Sequence, residues 1–238
     1  MEKSWFMPYL IMKYKKIFLI LARGGSKGIP KKNLEKIGEL TLVKKSLLSA
    51  ISSKLFDQII LSSDDKEILS EANGINVTKH LRSDRNSSDS ATSEDAIVEI
   101  FNDLKIFDGI CFLGQCTTPF ISSDDLVKIA QISKNNSDCT IVSGYIENPH
   151  HWEYLENEKK IIPIAKSNRI RKPRQKMQKK IFVENGGIYA FSINDFHKTK
   201  NRFAENIIPY IMTKQDSIDI DTYDDLFIAR AHYESIKK

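Results

Sequence analysis

At 238 residues, 41% hydrophobic and 28% charged, the chain is long enough for one large domain with a sizeable core, and its 10 Gly and 7 Pro exclude collagen-like or disordered composition. Thirty-six basic against 31 acidic residues leave a formal charge of +5, a weak argument for nucleic acid that suits a polyanionic small substrate equally well. No apolar run approaches the ~18 residues of a transmembrane helix, and three cysteines at 111, 116 and 139 fit neither a disulfide framework nor paired metal-ligand spacing, so a soluble protein of a reducing cytoplasm is expected.

Residues 1–13 read as an extension ahead of a domain spanning 14–238. Glu2 and Lys3 cancel and Pro8 interrupts the apolar part, unlike a secretory leader. Met12 opens a run that looks like a natural protein start, so translation from Met1 and from Met12 both stay open. Residues 17–22 (IFLILA) form a continuous apolar run, as expected of a strand buried on both faces. A glycine-rich turn follows, then a helix over 41–53 with Leu42, Leu47, Leu48 and Ile51 at helical spacing. A strand is predicted at 58–62, a helix at 65–73 stopped by Asn73-Gly74, and a short strand from Val77. A helix over 93–101, a strand at 109–113, a helix over 126–132 and a strand at 139–143 come next. Strands alternating with helices in this way predict an α/β fold, a mainly parallel Rossmann-like sheet flanked by helices. The pattern breaks between about 144 and 184, read as an inserted excursion. It resumes with a strand at 182–191, and residues 216–221 lead into a last helix reaching 236.

The segment Arg23-Gly24-Gly25-Ser26-Lys27-Gly28 directly follows the first strand, the place where open α/β sheets bind ligands. It matches neither GxxxxGK[ST] nor GxGxxG. It offers flexible backbone amides with Arg23 and Lys27 beside them and Lys31 and Lys32 just after, a set able to wrap a triphosphate. Near the other end, Asp219 and Asp221 are one residue apart, on the same face of an extended segment. Two hard oxygen ligands facing a phosphate site suit Mg²⁺, which takes one or two carboxylates and completes its shell with water and phosphate. Helix capping is the competing use: Asp221 or Thr222 could cap a helix starting near Tyr223, with Asp224 and Asp225 in its first turn. Both uses stay open.

LARGGSKGIPKKNL (21–34) resembles the opening motif of the acylneuraminate cytidylyltransferases, the CMP-sialic acid synthetases, a group that includes CMP-legionaminate and CMP-pseudaminate synthases. The likeness continues at FDQIILSSD (56–64), at Leu81-Arg82 followed by Asp84, Ser88 and Asp89, at LGQCTTP (113–119), at Pro173-Arg174-Gln175 with ENGGIY (184–189), and at QDSIDIDT (215–222). The resemblance implies transfer of CMP from CTP to the anomeric hydroxyl of a nine-carbon α-keto acid sugar, with release of pyrophosphate. It places Ala22, Arg23, Gly24, Gly25, Ser26, Lys27, Lys32 and Asn33 around CTP, with Arg82 and Ser90 also on the nucleotide. It assigns Mg²⁺ to Asp219 and Asp221, catalysis to Arg23, Lys27, Asp219 and Asp221, and substrate contacts to Gln115, Thr117, Gln175 and Asn185. It implies a homodimer in which the excursion sends basic residues toward the partner's site. Arg174 is then the favoured cation for the sugar's acid group, with Lys166, Arg169 and Arg171 behind it. Sialic, legionaminic and pseudaminic acids all stay open. The nearest rival is a cytidylyltransferase for the eight-carbon sugar Kdo, and a CTP-binding protein without catalysis is more distant.

Other features carry less. The basic run from Lys166 to Lys180 lacks the interleaved aromatics of a single-strand binder, so neither nucleic acid nor membrane is expected as a partner. His150, His151 and the distant His80 do not make a zinc site. Cys111 and Cys116 read as small core residues. Ser62 and Ser63 read as a strand end, because no histidine partner is indicated.

Overall fold

The computed structural model describes residues 15–26, 28–136, 138–147, 152–164 and 180–237. Residues 1–14, Lys27 and most of the basic run, including Lys166, Arg169, Arg171, Arg174 and Gln175, lie outside the described residues. Among the described residues, seven strands form one sheet in the order β11-β7-β10-β6-β1-β4-β5. These are β1 Lys16–Leu21, β4 Gln58–Ser63, β5 Thr78–Leu81, β6 Ile110–Gly114, β7 Cys139–Glu147, β10 Ile181–Ser192 and β11 Asn206–Ile211. β5, β4, β1 and β6 are mutually parallel. β10 runs antiparallel to both β6 and β7, and β11 pairs parallel with β7. The mainly parallel α/β architecture expected from the sequence is the one observed.

Alternation along β1 explains the layers. Phe18 and Ile20 enter the core on one face of the sheet, whereas Ile17 and Leu19 enter the core on the other. The first face is covered by α1 Leu42–Ser53, α2 Lys66–Ser70, α4 Ser123–Asn135 and α6 Tyr223–Ile236. The second is covered by α3 Ser93–Asp103 and α5 Ile193–Thr199. A strand buried on both faces must be apolar throughout, which is why residues 17–20 show no polar alternation.

The helices start where capping chemistry allows. Thr41, Asp65, Thr92, Ser122, Ser192 and Thr222 are N-caps whose side chains accept from the following turn. The expected elements are present with shifted ends: α2 stops at Ser70, and α3 and α4 run longer than their apolar spacing indicates. Six further strands and helices are found. A short hairpin, β2 Lys36–Ile37 with β3 Leu40–Thr41, precedes α1. β8 Trp152–Leu155 and β9 Lys160–Pro163 form a separate antiparallel pair within the 144–184 stretch. α5 and β11 follow β10. β11 contains Pro209, which a strand tolerates at the edge of a sheet where its missing N–H breaks no ladder.

Candidate active site

The C-terminal ends of the four parallel strands face one edge of the sheet. Leu21 leads into the glycine-rich loop, Ser63 into Asp64, Leu81 into Arg82 and Gly114 into Gln115. A cleft of about 480 Å³ opens there. Of the residues expected from the sequence, Arg23, Ser26, Lys32, Asn33, Arg82, Gln115, Thr117 and Asp221 line it. They come from four segments spread over some 200 positions; strand ends deliver three of them, and the segment of Asp221 is docked by Ile220 N donating to the Thr117 carbonyl at 2.9 Å.

The loop after β1 is shaped by its own polar groups. Asn33 is buried and donates through Nδ2 to the Arg23 carbonyl at 2.9 Å, while Gly24 N donates to Asp64 Oδ1 at 2.9 Å. Asn33 therefore holds the loop as well as lining the cleft. A β-carbon on Gly28 would sit 2.3 Å from the Asp221 carbonyl oxygen, so the loop backbone lies directly against the carboxylate segment and only glycine fits. Arg23 Nη1 lies 3.0 Å from Asp89 Oδ1, which joins the loop to the segment after β5. Ala22, Gly24, Gly25 and Ser90 are not among the cleft-lining residues. Ala22 is buried in the core, and Ser90 Oγ lies 3.2 Å from Ser88 Oγ, with Ser88 itself on the lining.

The two carboxylates divide their work. Lys32 Nζ donates to Asp221 Oδ1 at 2.7 Å, and 73% of the Asp221 side chain is exposed. Asp219 lies deeper. Its Oδ1 is buried with no hydrogen-bond partner. Burial pushes the Asp219 carboxyl above the usual carboxylate range, and nearby Asp221 adds to that, while the Thr117 hydroxyl and Lys32 oppose it. Helix capping falls to other residues: Thr222 caps α6, and Asp225 Oδ2 accepts from Thr222 N at 2.8 Å and from Thr222 Oγ1 at 2.7 Å. Neither Asp219 nor the Asp221 side chain is used as a cap. An unpartnered buried carboxylate oxygen beside a second carboxylate, with hard-oxygen chemistry, fits a divalent cation.

β10 reaches the cleft by an irregularity. Glu184 pairs with Gly144 and Tyr189 with Val142, so residues 185–188 bulge out of the ladder with β7, while Ile188 still pairs with Gly114 of β6. Gly186, at φ +69°, brings its backbone close to the Gln115 carboxamide and to Asp219. The Gly187 carbonyl accepts from Gln115 N at 3.0 Å. Asn185 is only 3% exposed, and its Oδ1 accepts from Ser143 Oγ at 2.7 Å and Gly187 N at 3.0 Å. Asn185 thus pins the bulge behind the cleft instead of lining it, a different placement from the direct substrate contact expected.

Several groups escape sequence reading. Asn86, Ser87, Thr92 and Ser93 line the cleft, and the only signal for them is the polar run that follows β5. Ser62 does have a histidine neighbour: His80 Nδ1 lies 3.0 Å from its Oγ, although the two are 18 positions apart. His80 also meets α3, where His80, Glu99 and Asp103 bring ligand atoms within 4.8 Å of one another, a cluster able to hold a cation. Cys111 and Cys116 are buried core residues as expected, and burial pushes the Cys116 thiol up to about 12. No helix among the described residues is long and apolar enough to cross a membrane.

Comparison with known proteins places this cleft in context. A family profile described as Cytidylyltransferase matches residues 17–236. Pseudaminic acid cytidylyltransferase of Campylobacter jejuni (serotype O:2) is 26% identical over 92% of this chain and 97% of its own length. N-acylneuraminate cytidylyltransferase B of Danio rerio is 31% identical over 85% of this chain and 48% of its own length. Among solved structures, a CMP:2-keto-3-deoxy-manno-octonic acid synthetase complexed with CTP superposes with a TM-score of 0.65 at 16% identity, covering 93% of this chain and 99% of that one. The 2-C-methyl-D-erythritol 4-phosphate cytidylyltransferase of Francisella tularensis gives 0.66 at 15% identity, covering 92% and 99%. These two show the fold, a Rossmann-like sheet shared with nucleotide-transferring enzymes. With the profile running from the first strand to the last helix, the chain belongs to the cytidylyltransferase family.

Proposed function

We propose that this enzyme transfers CMP from CTP to the anomeric hydroxyl of a nine-carbon α-keto acid sugar, releasing pyrophosphate. The observation that carries the reading is the buried, unpartnered Asp219 Oδ1 beside Asp221, which itself lines the cleft together with Arg23, Lys32 and Arg82. Arg23, Lys32 and the loop backbone hold the phosphates, and Arg82 holds the nucleotide. Lys27 belongs to the same loop and takes part in the same role. Thr117, Gln115 and the bulged backbone at Gly186 orient the sugar. The hydroxyl oxygen forms a new bond to the α-phosphorus, the bond from that phosphorus to the bridging oxygen breaks, and pyrophosphate leaves. The hydroxyl proton passes to solvent water. Asp219 and Asp221 would hold Mg²⁺, which when bound would supply positive charge to the phosphates and make the attacking hydroxyl more acidic. Fixed donors and cations aimed at the departing charge, with close positioning of both reactants, account for the acceleration without a covalent intermediate.

Pseudaminic acid is the preferred sugar in this reading, because a relative matched over nearly its whole length is named for that acid. The rest of the reading concerns residues 144–184. In it they form an excursion from a single domain, pair two copies into a homodimer, and carry Arg174 with Lys166 and Arg169 toward the sugar's carboxylate in the partner's site. Exposed Tyr154 and Ile161 on the β8–β9 pair and Ile207 and Ile211 on β11 are apolar surface suited to that contact. The decisive experiment mixes the protein with CTP, Mg²⁺ and, separately, pseudaminic, legionaminic and sialic acids and Kdo, and reads pyrophosphate and CMP-sugar. Turnover of one nine-carbon acid, abolished by chelator, is the expected result. Turnover of Kdo alone, or of none, overturns the reading. Sedimentation velocity at a dimer's mass checks the assembly.

A further inference from the structure

Behind the cleft wall lies a hydrogen-bonded chain that the reaction itself does not call for. Ser62, near the end of β4, is 0% exposed. Its Oγ accepts from Arg82 Nε at 3.2 Å, and its carbonyl accepts from Arg82 Nη2 at 2.8 Å. The same Oγ lies 3.0 Å from His80 Nδ1. On the far side of the ring, His80 Nε2 lies 3.1 Å from Asp103 Oδ2, on α3. The chain runs from a solvent-exposed carboxylate, through a ring only 6% exposed and a buried hydroxyl, to a guanidinium that lines the cleft.

The chemistry of the groups is compatible with one continuous run of donors and acceptors. A guanidinium can only donate, so Ser62 Oγ is an acceptor toward Arg82. The single hydroxyl hydrogen is then free to point at His80 Nδ1, an arrangement that sets the ring's N–H on Nε2, facing Asp103. Every group in the chain is satisfied in one direction only, and Arg82 Nη1 is left without a hydrogen-bond partner among the described residues. Ser62 is no nucleophile here, since it is fully buried and its hydroxyl is committed on both sides.

We propose that Asp103, His80 and Ser62 are positioning residues: they fix the Arg82 guanidinium in the orientation in which its unpaired N–H groups meet the nucleotide. The inference rests on the cleft being the CTP site. A long side chain held before the ligand arrives loses less freedom on binding, which raises affinity without any new contact. Burial holds the Arg82 guanidinium below its ordinary pKa while Asp64 and Glu99 offset it, so the site carries a desolvated cation that a ligand's acceptor would relieve. Use of His80, Glu99 and Asp103 as a metal site is the rival. It is disfavoured because the Glu99 oxygens already accept from Ser83 N at 2.8 Å, from Ser83 Oγ at 2.9 Å and from Asn86 Nδ2.

The test uses the full chain and CTP titrated by calorimetry, with thermal melting to confirm folding. Ser62→Ala and His80→Leu are expected to weaken CTP about tenfold, the value of one lost hydrogen bond to a charged group. In turnover, KM for CTP should rise while KM for the sugar and kcat stay within about threefold, a split that a merely structural role would not give. His80→Asn, whose Oδ1 can still accept from Ser62, should recover most of the affinity. Ring ¹⁵N shifts of His80 should report the neutral Nε2–H form. Folded variants that bind CTP as wild type does, or a ring protonated on Nδ1, overturn the relay and leave the function intact. A Zn²⁺ site in wild type that Asp103→Asn removes also overturns it, giving the cluster to a cation. A wild-type chain that fails to bind CTP overturns both readings.

Discussion

The two halves of the sheet reach the same cleft by different means. In the β5-β4-β1-β6 half, parallel strands end at a common edge, and whatever residue follows each strand is delivered there: Arg23, Asp64, Arg82, Gln115. In the β10-β7-β11 half, β10 enters from the opposite direction, so its passage past the cleft lies inside the strand and not at its end. The chain solves this with the 185–188 bulge, which turns backbone toward Gln115 and Asp219 and spends the Asn185 carboxamide to hold that shape. Parallel pairing supplies site residues as a consequence of topology, whereas an antiparallel strand needs a specific polar pin.

Asp219, where the two halves meet, gives the largest expected effect. Ile220 N donates to the Thr117 carbonyl at 2.9 Å, which docks the carboxylate segment onto the loop after β6, while Gly186 of the bulge approaches the Asp219 carboxylate from the other side. Asp219→Asn should lower kcat/KM by roughly 10²–10³-fold, the scale of losing a group that stabilises transition-state charge. Its melting temperature should hold or rise, because the amide removes a charge that burial disfavours. Activity within tenfold of wild type would show that the halves do not share this carboxylate.

Asn185→Ala sharpens the comparison on the antiparallel side. It leaves Ser143 Oγ and Gly187 N without their acceptor in a buried place, at a cost of about 1–3 kcal/mol, or several degrees of melting temperature. KM for the sugar should rise more than KM for CTP. A change confined to KM for CTP would mean that the bulge serves the nucleotide half.

Legibility in the sequence follows the same division. The parallel half is readable because buried parallel strands are continuous apolar runs and the groups that follow them are short, charged and glycine-rich: residues 17–22 and the loop after them announce themselves. On the other side, β11 hides behind Pro209, α5 is too short to show a period, and the bulge leaves no mark beyond two glycines and an asparagine whose amide could equally face a ligand. The Ser62–His80–Asp103 chain is invisible for another reason. Its members sit on β4, β5 and α3, and only the pairing of β4 with β5, in which Ser62 lies opposite His80, makes them neighbours. The ambiguity between a metal and a cap at 219–225 was a matter of one residue's displacement, and Thr222 with Asp225 takes the cap.

That cap gives a smaller effect. Thr222→Ala should cost about 1 kcal/mol of stability and fray the start of α6, with kcat falling modestly because Asp221 N is held by the same Asp225 carboxylate at 3.1 Å. Loss of all activity with an unchanged melting temperature would show that Thr222 belongs to the chemistry and not to the helix.

The smallest effect belongs to α3, whose N-cap Thr92 and first residue Ser93 lie on the cleft wall. The Thr92 hydroxyl donates to Asp95 Oδ2 at 2.7 Å, and the Thr92 amide does so at 3.0 Å. The hydroxyl, then the amide, hold the Asp95 carboxyl below the usual carboxylate range, against a weaker opposing effect of burial. A carboxyl whose pKa is depressed in the folded state stabilises that state fully above its unfolded pKa, and the contribution fades as pH falls through the lower folded value. Through the ordinary aspartate range, therefore, the start of α3 should stay closed, and it should open only in more acidic solution. Backbone amide shifts of Asp95 and Ala96 followed against pH report this directly, and Thr92→Val should move the midpoint up toward the ordinary value. A midpoint that stays put in Thr92→Val would mean that the helix end and not the hydroxyl sets the carboxyl's affinity for its proton, and that this wall of the cleft is held by the backbone alone.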